Sequence, residues 1–537
     1  MGAPVAARNQ FPVVSEASSS VDIAGKTSPW RRVPVDPITR QVIGGALSTI
    51  ARQMAQILFR MAISNVMREN QDIGCAILDV HGRQIAESDS TPMHCGSLPA
   101  YVKGIELKWR GDYAPGDVLL HNHPYLGASH APDYGVVVPI FVGGVHVGFT
   151  GCTGHVLDIG GSFAGFSVDV PDLYAEGKLV NAAKIVKAGV RNDELIDHLM
   201  DNVRTPDANA GDLEAMMACC RFGAGRVEAL CASHGLDTVM SAAEDWMDYA
   251  ERRLREAVKA VKPGRYAAPG GLLEDDGKHF GITLPIATAV EVAEDGTVTV
   301  DLTGSAPNTK TGFNCPFEGS VLPAANFAVR TLFLDEATTP DHVPQNDGIF
   351  RPVRVRAPHG SIYNPAFPRG CEARFAQINR IPDQVLQAFA PALPERVVAG
   401  NSASVSAIAY SGFDTTRNQF WVTIEINEGA YGGRPGKDGV DAIDNLMANP
   451  ANNPIEEAEL RALMVCERFE LRDDAPAAGR WRGGLGAIKR WRFLAETGGG
   501  AAGGNPPPPP PPGFVGGGDG TTPGDRAPTR TPPGHNL

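Results

Sequence analysis

From residue 38 onward apolar side chains recur at helical spacing, with Ile38, Val42, Ala46, Ile50, Met54, Ile57, Leu58 and Met61 on one stripe. Asp36 and Pro37 supply the start signal, a capping carboxylate followed by proline at the first helical position. The pattern predicts a helix running to about residue 68. Residues 75–80 then read as a strand, His81-Gly82 as a turn, and residues 83–87 as the returning partner. Strands dominate to about residue 168. Residues 191–262 are mostly helical and stop before Pro263-Gly264. Strand patterns return at 297–302 and 352–356, interrupted by helices near 318–335 and 376–392. The predicted fold class is α+β and multi-lobed, with mixed or antiparallel sheets and a helical segment in the middle.

A chain of 537 residues exceeds what one core ordinarily holds. Composition sets the expected boundaries. A flexible N-terminal segment covers 1–33, a strand-rich lobe 34–190, a helical segment 191–265, a second α+β lobe 266–494, and a disordered Gly/Pro-rich tail 495–537. The tail holds seven consecutive prolines, 506–512, a composition that builds no core. Apolar residues make up 43% and charged residues 20%, with a net charge of −13. That acidity and the lack of a basic stripe argue against nucleic acid. No signal segment or unbroken apolar run of about 18 residues predicts a membrane span. The nine cysteines contain no Cys-x-x-Cys pair, which predicts a reducing, cytoplasmic setting.

The densest chemistry lies between residues 119 and 161, where His121, His123, His130, Asp133, His155 and Asp158 cluster. Imidazole and carboxylate are the ligands favoured by Zn²⁺, Mn²⁺ or Fe²⁺ in open catalytic sites. Apolar residues 136–142 and 145–149 flank Gly143-Gly144, a two-residue hairpin turn. If Val142 faces Val145, paired numbers sum to 287, and His155 falls opposite Pro132. His130 and Tyr134 are then its diagonal neighbours, about 7–8 Å away. In that register Asp133 has the wrong parity, and a bulge at Pro139 would shift the pairing by one. Two readings stand: polar side chains satisfied around a loop, or ligands of one ion. Asp72 is a further acidic candidate, with a turn or cap as its plain role. His121 and His123 read as structural. Cys315 and Cys371 have no histidine paired to them by sequence, and buried structural thiols are commoner than nucleophiles. The glycine-rich stretch at 432–439 lacks Walker spacing and reads as a turn. No ATP site emerges, so any use of ATP calls for a partner subunit.

Several blocks, in order, resemble one family over about residues 36–494. They are Ser64-Asn65-Val66-Met67-Arg68-Glu69 with Asp72; Met93-His94-Cys95-Gly96-Ser97; Asn122-His123-Pro124-Tyr125-Leu126-Gly127 with His130 and Asp133; and His155 through Asp158 to Gly161. Asn202 to Pro206, Asp301 to Ser305, Gly433 to Gly439 and Arg482 to Gly486 continue the series. On these residues the chain resembles the B-type subunits of the hydantoinase B/oxoprolinase family, which also includes the large subunits of acetone- and acetophenone-type carboxylases. The resemblance implies a divalent transition metal (Zn, Mn or Fe) on Asp72, His130, Asp133 and His155, with Asp133 and His94 as catalytic residues. It also implies a hetero-oligomer with a hydantoinase A-type ATPase subunit of actin-like fold. That partner would phosphorylate the oxygen of a small cyclic amide, after which water attacks the activated carbon. A ketone carboxylase subunit and a non-catalytic structural subunit are the alternatives. The chain departs from the family at His123, where an aspartate is usual, and in its tail, where Pro512 to Gly518 stand as a remnant of the usual ending.

Overall fold

The computed structural model describes residues 14–20, 23, 25–335, 342–402, 406–448, 450–473, 476–495, 498–503, 513–514 and 516–519. The chain opens with a short strand, β1 (Glu16–Ser18), and a long helix, α1 (Pro37–Met61). Asp36 caps α1 by accepting from the N–H groups of Ile38 and Thr39. The predicted helix to residue 68 is broken after Met61. Asp212 Oδ1 takes the N–H groups of Ile63 and Ser64 (2.7 and 3.0 Å), and Ser64 caps a separate turn, α2 (Asn65–Arg68). A buried carboxylate therefore replaces two helical carbonyls as acceptor.

The first large sheet is built from β2 (Ile73–Asp79), β3 (Gln84–Glu87), β4 (Val118–His121), β5 (Asp133–Val142), β6 (Val145–His155), β7 (Ala183–Lys187) and β8 (Val190–Arg191), with α3 (Leu98–Trp109) between β3 and β4. Strand order is β3-β2-β6-β5-β4-β7-β8, antiparallel throughout. Helices α4 (Asp193–Met200), α5 (Pro206–His234) and α6 (Leu236–Val258) follow. One sheet face, with Cys75, Ile77, Val136, Val138 and Cys152, packs on α1 and α5. The alternate residues Ala76, Leu78, Val137 and Phe149 pack on α3. Burial on both faces explains why β2 and β5 read as near-continuous apolar runs. By length and composition α1 alone among the described helices is apolar enough to cross a bilayer, and its stripe is spent here on α5, α6 and β2.

A second, mixed sheet contains β9 (Gly264–Ala267), β12 (Ala289–Val292), β13 (Val298–Asp301), β14 (Val353–Arg356) and β1, in the order β1-β14-β13-β12-β9, with β13 and β14 parallel. Between β9 and β12 lies the hairpin β10 (Gly271–Asp275) and β11 (Phe280–Ile286). Helices α7 (Leu322–Phe333), α8 (Asp347–Phe350) and α9 (Phe375–Phe389) pack into the largest apolar cluster, which extends to Met447. Toward the C-terminus come β15 (Ser406–Asp414), β16 (Gln419–Asn427), β17 (Gly429–Ala430), β18 (Asp441–Ile443), α10 (Ile455–Arg461), β19 (Met464–Leu471), β20 (Ala487–Phe493) and β21 (Gly498–Gly503).

Two segments depart from the expected disorder. Within 1–33, β1 pairs with β14 and Trp30 is buried. Within 495–537, β21 pairs with β15 over six residue pairs, and Phe514 packs against the large core. A ladder is made of backbone groups, so a Gly/Ala run joins one without any side-chain signal. The prolines at 506–512 lie outside the described residues.

The hairpin register also differs from the simple count. Gly143 and Gly144 both have positive φ (57° and 83°), which a two-residue turn of this twist requires. Val142 faces Val145, but a bulge between Ile140 and Phe141 shifts every later pair by one. Asp133 therefore lies directly opposite His155. The bulge sits beside the turn, not at Pro139, where composition had pointed.

Candidate metal centre

One row of residues crosses three neighbouring strand ends. Asp133 opens β5 opposite His155, which closes β6, and the His155 N–H donates to the Asp72 carbonyl just before β2 (3.3 Å). Directly opposed residues bring their Cβ atoms to about 4.5–5.5 Å. His130 joins from the loop that turns back into β5. The resulting triangle is tight: His130 Nε2 to Asp133 Oδ1 is 2.9 Å, His130 Nε2 to His155 Nδ1 is 3.2 Å, and His155 Nδ1 to Asp133 Oδ1 is 3.2 Å. All three side chains are buried, at 0%, 1% and 5% exposure for His130, Asp133 and His155.

His130 Nδ1 lies 2.8 Å from the Glu372 carbonyl, which only accepts, so Nδ1 carries the hydrogen. Burial and the nearby Arg374 charge push His130 down to about 4. Its Nε2, the His155 Nδ1 and the Asp133 Oδ1 thus converge as three ligand-type atoms on one point. Ligand bonds of about 2.0–2.2 Å imply edges of about 3.3 Å for a tetrahedron and about 2.9 Å for an octahedral face. The observed edges span that interval, so the three residues fit a divalent transition ion.

The surroundings fix the ligands. Asp133 Oδ2 accepts from Arg374 Nη2 at 2.8 Å and from the Ser129 hydroxyl. Arg374 Nε also donates to the Ser129 carbonyl, and the Tyr101 hydroxyl donates to the Asp133 carbonyl (3.0 Å). Burial raises the Asp133 carboxyl, but His130, His94 and Arg374 outweigh it and hold it well below the usual carboxylate range.

Asp72, expected among the ligands, is not part of the three-residue cluster and instead forms an adjoining pair with His94. His94 Nε2 is 2.9 Å from Asp72 Oδ1, and its Nδ1 is 2.7 Å from the Thr153 hydroxyl. Burial lowers His94, but the Asp133 and Asp72 carboxylates outweigh it and hold its pKa above the ordinary imidazole value. With both nitrogens engaged, His94 reaches the cavity only through Asp72. The cavity, about 30 Å³ and so large enough for water, is lined by Asn70, Asp72 and His155 with apolar walls that include Phe166, Phe375 and Ile424. His155 Nε2 and Asn70 Oδ1 are buried without a partner among the described residues.

Other candidates fall elsewhere. Asp158 binds Arg204 (3.0 Å), and His121 binds the Leu126 carbonyl and the Ala182 N–H. Burial pushes Cys315 up to about 12 and Cys371 well above the ordinary thiol value. A second group, Cys152, Cys219 and Cys220, also has clustered ligand atoms. Its thiols lie 3.2–3.6 Å from the Met216 and Val136 carbonyls, in the apolar core where α5 packs on the first sheet, and they do not line the cavity. Arg374, Ser129, Tyr101 and Glu372 escaped the sequence reading. Arg374 and Glu372 lie more than 200 residues from their partners and carry no ligand spacing.

Residues 36–533 match the hydantoinase B/oxoprolinase family. The chain belongs to that family. A relative from Pseudomonas sp. (strain NS671), described as the B-type subunit of a D-/L-hydantoinase, is 42% identical over 86% of this chain and 79% of its own length. The ATP-dependent caprolactamase from Pseudomonas jessenii has a solved structure that superposes with a TM-score of 0.79 at 28% identity, over 86% of this chain and 79% of that one. A nucleotide-free acetone carboxylase structure also superposes at 0.79, with 18% identity over 86% of this chain and 63% of that one; at such identity the likeness is one of fold. The mixed helices and open sheets described above are thus the fold of this family.

Proposed function

We propose that this B-type chain is the metal-containing subunit of an ATP-dependent hydrolase of small cyclic amides, working on a substrate that an A-type ATPase partner has phosphorylated. The observation that carries the reading is the His130–Asp133–His155 triangle, three buried ligand atoms within 3.2 Å of one another beside a small cavity. The two most pertinent relatives are named for hydantoin and caprolactam chemistry, both cyclic amides. An amide is a poor electrophile; phosphorylating its oxygen makes the carbon open to water. The ring opens when the adduct expels the ring nitrogen as the amine, and a second water splits the resulting acyl phosphate into carboxylate and phosphate.

In this reading His130, Asp133 and His155 hold the ion, and Asp72 completes the wall beside it. When bound, a divalent cation supplies Lewis acidity that lowers the pKa of water toward about 7. Arg374 and Ser129 keep Asp133 aimed at the two imidazoles. Asp72, held by His94, stands at the cavity as the carboxylate that takes a proton from attacking water. The unpartnered Asn70 and His155 atoms give the ring a polar face to bind, and Phe166 and Phe375 shield its apolar edge.

The test is co-expression with an A-type ATPase subunit and a screen of ATP turnover over hydantoins, 5-oxoproline, simple lactams, and ketones with bicarbonate. Cyclic amide-dependent turnover, lost in His130→Ala and His155→Ala variants that remain folded, is the expected result. Turnover only with ketone and bicarbonate contradicts the hydrolase reading. Full activity of either histidine variant contradicts the site.

A further inference from the structure

Glu176 follows a short 3-10 turn (Leu173–Ala175) and is fully buried. Its Oε1 accepts two successive backbone N–H groups, those of Cys371 and Glu372, the latter at 2.8 Å. The carbonyl of Glu372 in turn accepts the His130 Nδ1–H at 2.8 Å. The far side of the same peptide is tied down as well, because the Ala373 N–H donates to the Gly312 carbonyl (3.0 Å). Gly370 lies against the carboxyl: a Cβ there would sit 2.6 Å from Oε1, so the close approach depends on a missing side chain.

We propose that Glu176 is a positioning residue for the metal centre: by clamping the loop at Cys371 and Glu372 it aims the Glu372 carbonyl at His130, selects the Nδ1–H tautomer, and leaves Nε2 free as a ligand. This rests on the metal reading given above. Among the described residues no basic side chain pairs with Glu176, and its Oε2 has no partner. Burying an acid this way is costly. Burial pushes the carboxyl up to about 8, so near pH 7 it is mostly the neutral acid, whose one carbonyl-type oxygen glutamine reproduces.

The test is ¹⁵N-histidine NMR of the metal-free full chain, with the His130 resonance assigned by its loss in His130→Gln. The wild type shows a slowly exchanging Nδ1–H. Glu176→Gln keeps it, whereas Glu176→Ala and Gly370→Ala lose it or speed its exchange by about tenfold, the effect of weakening one hydrogen bond. Asp117→Ala is the structural control. Asp117 also shows no solvent exposure; it accepts two backbone N–H groups, from Ala114 and Ala188, and pairs with Lys184 (2.7 Å) without touching this loop, so its removal leaves the His130 signal unchanged. In a second arm, Co²⁺ affinity falls about 10–100-fold in Glu176→Ala and stays near wild type in Glu176→Gln. A wild type without the protected proton, a Glu176→Ala protein that keeps it, or an Asp117→Ala protein that loses it would overturn the proposal. A wild type with the protected proton but no Co²⁺ binding would overturn the metal reading and leave the clamp standing.

Discussion

Asp133 and Arg374 form an ion pair of 2.8 Å in which each side chain is 1% exposed. In Asp133→Asn the guanidinium stays buried without its counter-charge, and in Arg374→Met the carboxylate does. Either change costs about 3–5 kcal/mol. Independent effects would sum to about 6–10 kcal/mol in the double variant. Removing both charges together leaves neither uncompensated, so the double variant falls short of that sum by a coupling of at least about 2 kcal/mol. The assay is urea unfolding of chelator-treated protein at pH 7, followed by tryptophan fluorescence. Metal content gives a second readout. Both proteins carrying Asp133→Asn bind no metal, because the anionic ligand is gone. Arg374→Met still binds, about 10–100-fold more weakly, because the three ligand atoms remain but one is no longer held. Additive losses within about 0.5 kcal/mol would refute the buried-pair reasoning. Full metal in Asp133→Asn would refute the ligand assignment.

The carboxyls set the pH dependence in opposite directions. Glu176 at about 8 and Glu87, Glu428 and Asp383 at about 7 are raised mainly by burial. The folded state therefore binds more protons than the unfolded one up to pH 7–8, and metal-free stability rises as pH falls from about 8 to about 6.5, below which His121, His123, His130 and His146, lowered to about 3–4 by burial, oppose the trend. A stability curve that rises with pH over this window would contradict the assignment. Asp133 acts the other way: its depressed pKa gives stability that is present above about pH 4 and lost as pH falls further, so Asp133→Asn flattens the acid limb of the curve. Truncation before residue 498 strips β21 from β15 and leaves an open edge. Light scattering of the truncated protein at raised concentration should show self-association that the full chain lacks.

How much of this was legible in the sequence follows from what makes a sequence signal. The cap on α1 was visible because Asp36-Pro37 is a local motif and the cap is a local bond. The Gly143-Gly144 turn was visible for the same reason, and it brought His130, Asp133 and His155 into one neighbourhood on paper. The bulge near Ile140 left no compositional trace, and one extra residue moved Asp133 from the wrong parity to the position opposite His155. The break after Met61 depends on Asp212, about 150 residues away. Arg374 and Glu372, which set the charge and tautomer of the centre, are equally distant in sequence and belong to a loop before α9 with no metal-ligand spacing. Strand β21 has no alternation to read, since its backbone alone supplies the pairing.

The most direct test of the central claim is anomalous X-ray diffraction from crystals of the protein grown with Zn²⁺ or Mn²⁺, with data collected on either side of the metal's absorption edge. The account predicts one strong peak about 2.0–2.2 Å from His130 Nε2, His155 Nδ1 and Asp133 Oδ1. It is contradicted if well-ordered crystals show no peak between those three atoms, or if the only strong peak lies elsewhere, as at Cys152, Cys219 and Cys220.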